Sequence, residues 1–240
     1  MGAVWSCNIA PNREILHAAH FKPLGTTLSP AIRAVAFDLD GLMFNTESLY
    51  EEVGSEMLRR RGKAMTRELL NRMMGRPSPV ALQIMIDWHD LSDTVTELEQ
   101  ETDATFDKIL HDRLRPMPGL LELLDALESS RIPKAITTSS RRSFLQQVLS
   151  ISQLDGRFSF QITAEDVTHG KPSPEIYVTA AERFRVPTWQ MMVLEDSEIG
   201  CRAAVAAGAY TVAVPGDHSR NHDFTNVTYM ATSLADPGIY

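Results

Sequence analysis

Cysteine is scarce in this chain. Cys7 and Cys201 are the two present in 240 residues, too few and too far apart for a disulfide framework or a zinc pattern. A reducing, cytoplasmic setting is therefore expected. Long hydrophobic runs are missing too. No stretch reaches the roughly 18–20 apolar residues of a membrane span, and the most apolar one, Ala203 to Val214, is interrupted by Gly208. Excess positive charge is absent as well. Lys and Arg total 23 against 31 Asp and Glu, giving a net charge of −8. That balance argues against non-specific nucleic-acid binding. It leaves room for an anionic substrate, because a bound cation inverts the field inside a pocket. With 43% apolar and 22% charged residues, the chain has enough material for a full globular core and an inserted second unit.

Residues 1–30 hold Pro11, Pro23, Pro30 and Gly25 with little apolar periodicity, and read as a leader or loosely packed tail. Met1-Gly2-Ala3-Val4-Trp5-Ser6 fits a loose N-myristoylation pattern, although a cloning residue or an early start codon accounts for it more simply. No basic stretch precedes a long apolar core, so a secretory signal is not expected.

From Ile32 to Asp40 the chain reads as a strand. From residue 47 to 115 it reads as helices without strands: Ser48 to Arg61, Thr66 to Met74 ending at Gly75, a helix capped by Ser78 with Pro79 in its first turn, and Thr94 to Leu114. Beyond Met117-Pro118-Gly119 helices and strands alternate. Strands are expected at 132–137, 158–163, 191–194 and 211–214, with helices at 120–129, 143–150, 174–184 and 197–207. This alternation predicts an α/β fold with a Rossmann-like, doubly wound parallel sheet. The expected division is a core of residues 31–46 and 116–240 with an all-helical insertion at 47–115.

In such sheets ligands bind beyond the carboxyl ends of the strands, and the polar residues collect there. Asp38 and Asp40 follow the first strand, two residues apart and able to face one way, with Gly41 permitting a sharp turn. Two acids held together need a cation or a hydrogen-bond network. Thr137-Thr138-Ser139-Ser140 follows the next strand, where hydroxyls and free N–H groups can cap a helix or cradle a phosphate. His169-Gly170-Lys171-Pro172-Ser173-Pro174 is a stiff loop whose Lys171 is either a solvated surface group or a held phosphate partner. Glu195 and Asp196 end another strand, as a solvated acidic turn or as ligands of the oxygen-seeking Mg²⁺. Each motif alone has an ordinary structural reading, but their recurrence at successive strand ends favours a site.

Taken together, Phe37-Asp38-Leu39-Asp40-Gly41-Leu42-Met43-Phe44-Asn45-Thr46-Glu47, Ile136-Thr137-Thr138-Ser139-Ser140, His169-Gly170-Lys171-Pro172 and Leu194-Glu195-Asp196-Ser197 resemble the sequence motifs of the haloacid dehalogenase superfamily. The likeness is to its β-phosphoglucomutase-like phosphatase branch, and it runs from about Ile32 to Ala235. The resemblance implies Asp38 as phosphoryl-accepting nucleophile and Asp40 as general acid and base. It implies Thr138, Ser139 and Lys171 as phosphate-binding residues, and Mg²⁺ held by Asp38, the Asp40 carbonyl, Glu195 and Asp196. Arg76, beside Gly75 in a connection between inserted helices, is either a substrate contact or a solvated arginine.

Two positions depart from the family pattern. Asn45 stands where Asp is frequent. Tyr50 stands where the mutases carry histidine, which argues for hydrolysis over isomerisation. The presence of Asp40 sets dehalogenation aside. The expected function is a Mg²⁺-dependent phosphatase of a small phosphorylated metabolite, either a sugar phosphate or a nucleotide-like monophosphate. A phosphoglucomutase-like isomerase and a non-catalytic phosphometabolite-binding protein are the alternatives. No nucleic-acid or membrane partner is expected, and monomer is the default oligomeric state.

Overall fold

The computed structural model of the protein describes residues 31–73 and 76–240. The N-terminal tail with its myristoylation-like pattern, and the Met74-Gly75 end expected for the second helix, lie outside the described residues.

Strand β1 (Ala34–Phe37) leads through a tight loop into four helices, α1 (Thr46–Arg60), α2 (Arg67–Met73), α3 (Ser78–His89) and α4 (Val95–Arg113). The chain then runs α5 (Leu120–Ser129), β2 (Lys134–Thr137), α6 (Arg142–Ser152), β3 (Phe160–Ile162), α7 (Glu175–Phe184), β4 (Met191–Glu195), α8 (Glu198–Ala206), β5 (Tyr210–Ala213) and β6 (Tyr229–Met230). The strands form one sheet in the order β3-β2-β1-β4-β5-β6, and every pairing is parallel.

The alternation of side chains along β1 shows why the sheet is covered on both faces. Val35 and Phe37 join Leu120, Leu124, Leu145 and Leu149 of α5 and α6 on one face. Ala34 and Ala36 join Tyr177 and Ala180 of α7 and Ala203 and Ala204 of α8 on the other. A strand buried on both faces must be apolar throughout, and Ala-Val-Ala-Phe is. The alanines of β1, α7 and α8 allow close helix–sheet packing, whereas leucines fill the opposite layer. That leucine layer continues into the helical block, where Leu49, Val53, Met57, Leu69, Met85, Leu98 and Leu110 are buried together.

The helix starts follow local chemistry. The Thr94 side chain accepts from Glu97 N–H, and Glu97 returns a bond to Thr94 N–H, which makes a capping box for α4. Removing the cap in Thr94→Ala should cost about 1 kcal/mol; urea unfolding measures it, and an unchanged midpoint would show that the box contributes nothing. The expected Ser78 cap is corrected. Ser78 is already inside α3, and Pro77 precedes it with no side-chain cap. The fixed φ of proline suits the extended residue before a helix, and the Pro77 carbonyl accepts from Val80 and Ala81 N–H.

Strand β1 is shorter than the expected 32–40, because after Phe37 the chain turns and Asp40 bridges to Phe44. Phe44 in turn bridges to Pro116, which brings the chain entering the helical block beside the chain leaving it. Asn45 ties the two together: its Nδ2 donates to the Arg113 carbonyl at 3.2 Å and its Oδ1 accepts from Arg115 N–H at 2.7 Å. An aspartate could make only the second bond, so asparagine holds this crossing on both sides.

Candidate active site

Because β1 lies between β2 and β4, the polar residues after these strands meet at one edge of the sheet. Asp38 sits at the centre. Its Oδ1 accepts from Lys171 Nζ at 2.5 Å. The same ammonium donates to Glu195 Oε1 at 2.6 Å and to the Thr137 carbonyl at 3.0 Å. Glu195 is fully buried, and Tyr177 donates its phenolic hydroxyl to the same Oε1 at 2.5 Å. Ser197 Oγ donates to Glu195 Oε2 at 3.0 Å and also caps α8 by accepting from Gly200 N–H. The loop lysine is therefore a buried ion-pair partner and not a surface group.

Asp40 points toward the end of β2. Its Oδ2 accepts from Ser140 Oγ at 2.6 Å and from Thr138 Oγ1 at 3.3 Å. Its Oδ1 is buried without a hydrogen-bond partner. The bonds to Oδ2 orient the carboxyl. Thr138 is fully buried behind Asp40, and its hydroxyl also accepts from Ser140 N–H at 2.9 Å.

The electrostatics follow from crowding and burial. Burial alone would lower the Lys171 pKa, but Asp38 and Glu195 outweigh it and hold the ammonium protonated, well above the ordinary lysine value. One ammonium does not balance the acids around it. Burial pushes the Asp38 and Asp196 carboxyls well up, and repulsion among the neighbouring acids adds to it. The Asp40 carboxyl is raised by burial, against the hydrogen bonds from Ser140 and its neighbours. Glu47, facing the same space, is pushed up to about 7 by burial and by Asp40.

Carboxylate oxygens of Asp38, Glu195 and Asp196 lie within 4.8 Å of one another, and all three residues are buried. A donor set made of carboxylates with an excess of negative charge fits a hard divalent cation such as Mg²⁺. Backbone closes round it. A Cβ on Gly41 would collide with Asp196 Oδ2, and one on Gly200 would collide with Glu195 Oε1. Glycine at these two positions is what permits the acids to sit so close to the chain. The Asp40 carboxylate is not in this cluster.

The acids form the floor of a cavity of about 670 Å³ between the sheet edge and the helical block. Asp38, Asp40, Ser139, Lys171, Asp196 and Arg76 all line it; Thr138 and Glu195 are fully buried and do not, but they bond to Asp40 and Lys171. Arg76 is solvent-exposed, with its Nε donated to the Arg72 carbonyl at 2.8 Å. Sequence reasoning missed Tyr177, Ser140 and Glu47 as site residues. Ser140 lay inside a motif already singled out, and Glu47 directly follows the acidic loop. Tyr177 carried no signal beyond the apolar face of its helix.

A family model described as haloacid dehalogenase-like hydrolase matches residues 35–214. A phosphorylated carbohydrates phosphatase of Thermotoga maritima is 32% identical over 177 residues, covering 74% of this chain and 82% of that protein. A validoxylamine A 7'-phosphate phosphatase of Streptomyces hygroscopicus subsp. limoneus is 31% identical over 192 residues, covering 78% and 87%. Among solved structures, a β-phosphoglucomutase from Clostridium difficile matches with a TM-score of 0.70 over 85% of this chain and 92% of that one. At 19% identity that likeness speaks for the fold alone.

Proposed function

The chain belongs to the haloacid dehalogenase-like hydrolases, and from that premise we propose that it is a Mg²⁺-dependent phosphatase that works through an aspartyl phosphate on Asp38. It is a hydrolase of phosphate monoesters, as its named relatives are phosphatases. The observation that carries the finer reading is the meeting of Asp38, Lys171 and the acid cluster on the cavity floor, with one oxygen of Asp40 left unpartnered beside them.

The Asp38 carboxylate attacks phosphorus, and the ester oxygen departs with a proton supplied by Asp40. Burial raises the Asp40 carboxyl above the ordinary aspartate value, the direction a general acid needs. In the second half Asp40 takes a proton from the water that attacks the aspartyl phosphate. Inorganic phosphate leaves and Asp38 is restored. Splitting one displacement into two lowers each barrier, and the remaining work is positioning and charge neutralisation. Lys171 fixes the direction of Asp38 and offsets phosphate charge. Thr138 and Ser140 orient Asp40, and Ser139 faces the phosphate position. A Mg²⁺ ion held by Asp38, Glu195, Asp196 and the Asp40 carbonyl would neutralise charge on the phosphate oxygens.

The helical block, residues 47–115, acts as the cap over the site, and Arg76 lies within reach of a substrate group. The substrate is a small phosphorylated metabolite, with sugar phosphates and nucleotide-like monophosphates as the classes to try first. Tyr50 offers no second proton relay to Asp40 of the kind a histidine would, which favours transfer to water over return to a sugar.

The test is phosphate release from a panel of such monoesters with Mg²⁺ and with EDTA. Release that EDTA abolishes and Mg²⁺ restores is expected. Turnover unaffected by chelation would overturn the metal assignment, and turnover that appears only with a bisphosphate activator would favour the isomerase.

A further inference from the structure

Tyr177 is the largest of the fully buried side chains among the described residues. Its space comes from small neighbours. Ala34 and Ala36 of β1, Ala180 of α7 and Ala203 and Ala204 of α8 make up the layer in which it packs. A close-packed interior fixes the ring, so the core itself sets where the phenolic hydroxyl stands. Phenylalanine would fill nearly the same volume. A buried hydroxyl is unfavourable unless it is paired, and here its partner is Glu195 Oε1 at 2.5 Å.

Glu195 is held at both carboxylate oxygens. Lys171 Nζ joins Tyr177 at Oε1, at 2.6 Å. Ser197 Oγ donates to Oε2 at 3.0 Å. A Cβ on Gly200 would lie 1.9 Å from Oε1 and 2.2 Å from Oε2, so the first turn of α8 closes another side. A glutamate left free would sample several rotamers, and ordering it would cost entropy each time a ligand arrived. In this site the carboxylate is already fixed beside Asp38 and Asp196, within 4.8 Å of both.

The tyrosine also bears on the lysine. An ammonium has three donors, and those of Lys171 go to Asp38 at 2.5 Å, Glu195 at 2.6 Å and the Thr137 carbonyl at 3.0 Å. Its Nζ stands 5.2 Å from the centre of the Tyr177 ring, a distance at which a ring face attracts a cation. Asp38 and Glu195 compete for this one charge. The Tyr177 hydroxyl satisfies Glu195 in part without bringing charge, and the ammonium stays shared between the two acids at nearly equal distances. Lys171 and Tyr177 reach the same oxygen because the stiff loop ending at Pro174 runs straight into the first turn of α7, where Tyr177 N–H donates to the Pro174 carbonyl.

Building on the reading of the acid cluster as a Mg²⁺ site, we propose that Tyr177 is a positioning residue: with Ser197 it fixes Glu195 where the cation binds, and it keeps Lys171 shared with Asp38. Groups that orient metal ligands from behind typically account for roughly 10- to 100-fold in metal affinity or activity.

The test titrates Mg²⁺ into the substrate-free protein by isothermal calorimetry, well below the melting temperature. Tyr177→Phe should raise the Mg²⁺ Kd roughly 10- to 100-fold, and the Mg²⁺ activation curve for phosphate release should move by the same factor. Ser197→Ala, which frees the other oxygen, should weaken binding in the same direction, and it decides the matter if Tyr177→Phe does not fold. Ile176→Val thins the same apolar layer without removing a bond to Glu195, and it should leave Mg²⁺ affinity as it is. An unchanged Kd in the folded variants, even with a lowered Tm in EDTA, would make Tyr177 a packing residue and overturn the proposal. Tighter binding in Tyr177→Phe would show that the hydroxyl acts by drawing charge off Glu195, and would overturn positioning as well. So would a loss in Ile176→Val as large as that in Tyr177→Phe. A native protein that takes up no Mg²⁺ would instead overturn the metal reading, and this role with it.

Discussion

Asp38→Asn should reduce phosphate release to the protein-free background, while Asp40→Asn should retain a measurable remnant. In the proposed mechanism the two acids are neighbours that do different work. Asp38 is the atom source of the covalent bond, and an amide cannot take its place as nucleophile. Its exchange also weakens the pairing with Lys171, which spans 2.5 Å in the native site. Asp40 moves protons, a contribution typically worth roughly 10²- to 10⁴-fold. In Asp40→Asn the amide oxygen would still accept from Ser140 and Thr138, so geometry would survive and only proton transfer would be lost. Steady-state phosphate release at saturating substrate separates the two outcomes. Equal residual activity in both variants would overturn the division of roles, and undiminished activity in Asp38→Asn would remove the nucleophile.

Lys171→Met should be the most destabilising single change at the site. The lysine side chain is 5% exposed, between Asp38 at 10% and Glu195 at 0%. Removing one member of a buried ion pair leaves the other uncompensated, at about 3–5 kcal/mol. For a chain of this size that lowers Tm by about 10 °C. The pH dependence has a definite sign. In the native protein the Lys171 pKa is raised, so its stabilisation is fully present below the unfolded lysine value and is lost only as pH climbs through the folded one. Across pH 5 to 9 the native protein keeps it. In the variant the acids face each other without a cation, and an acid with a raised folded pKa takes up a proton on folding. Stability of the variant should therefore improve as pH falls from 8 toward 5, and the gap to the native protein should narrow. Thermal melts at several pH values measure this; a gap that is small, or that widens at low pH, would overturn the ion-pair account.

The sequence made part of this arrangement readable. Asp38, Lys171, Glu195 and Asp196 could be placed because a parallel sheet delivers the residues after its strands to one edge, and apolar runs marked those strands well. What stayed hidden depends on distance in space. Tyr177 sits on the buried face of α7, where sequence reasoning reads an aromatic as packing, and only the fold brings its hydroxyl to Glu195. Gly54 looks like a weak point within a helix, yet a Cβ there would come 2.7 Å from the Met65 methyl carbon, so glycine is what lets that methionine pack against α1. The β6 strand is two residues long, too short for any periodicity. The Ser78 cap failed because serine before proline is a common helix start, and the cap position had moved to Pro77.

The position of β1 in the sheet has a consequence for how the chain acquires its fold. Val35 pairs with Lys134 on one side and Met192 on the other, so the central strand has no neighbour until more than half of the polypeptide exists and gains its second only when β4 is made. On a ribosome the first apolar strand emerges early and must wait, while the helices of residues 47–115 make their contacts among themselves. Distant pairing of this kind slows folding and prolongs the life of exposed apolar intermediates. Pulse-labelling hydrogen exchange should find α1 and α4 amides protected before those of Val35 and Ala36, and the reverse order would show that the sheet nucleates first. Newly made chains that stall before β2 would carry Asp38 and Asp40 beside an unpaired, sticky strand, which makes such truncation products the species most prone to aggregate.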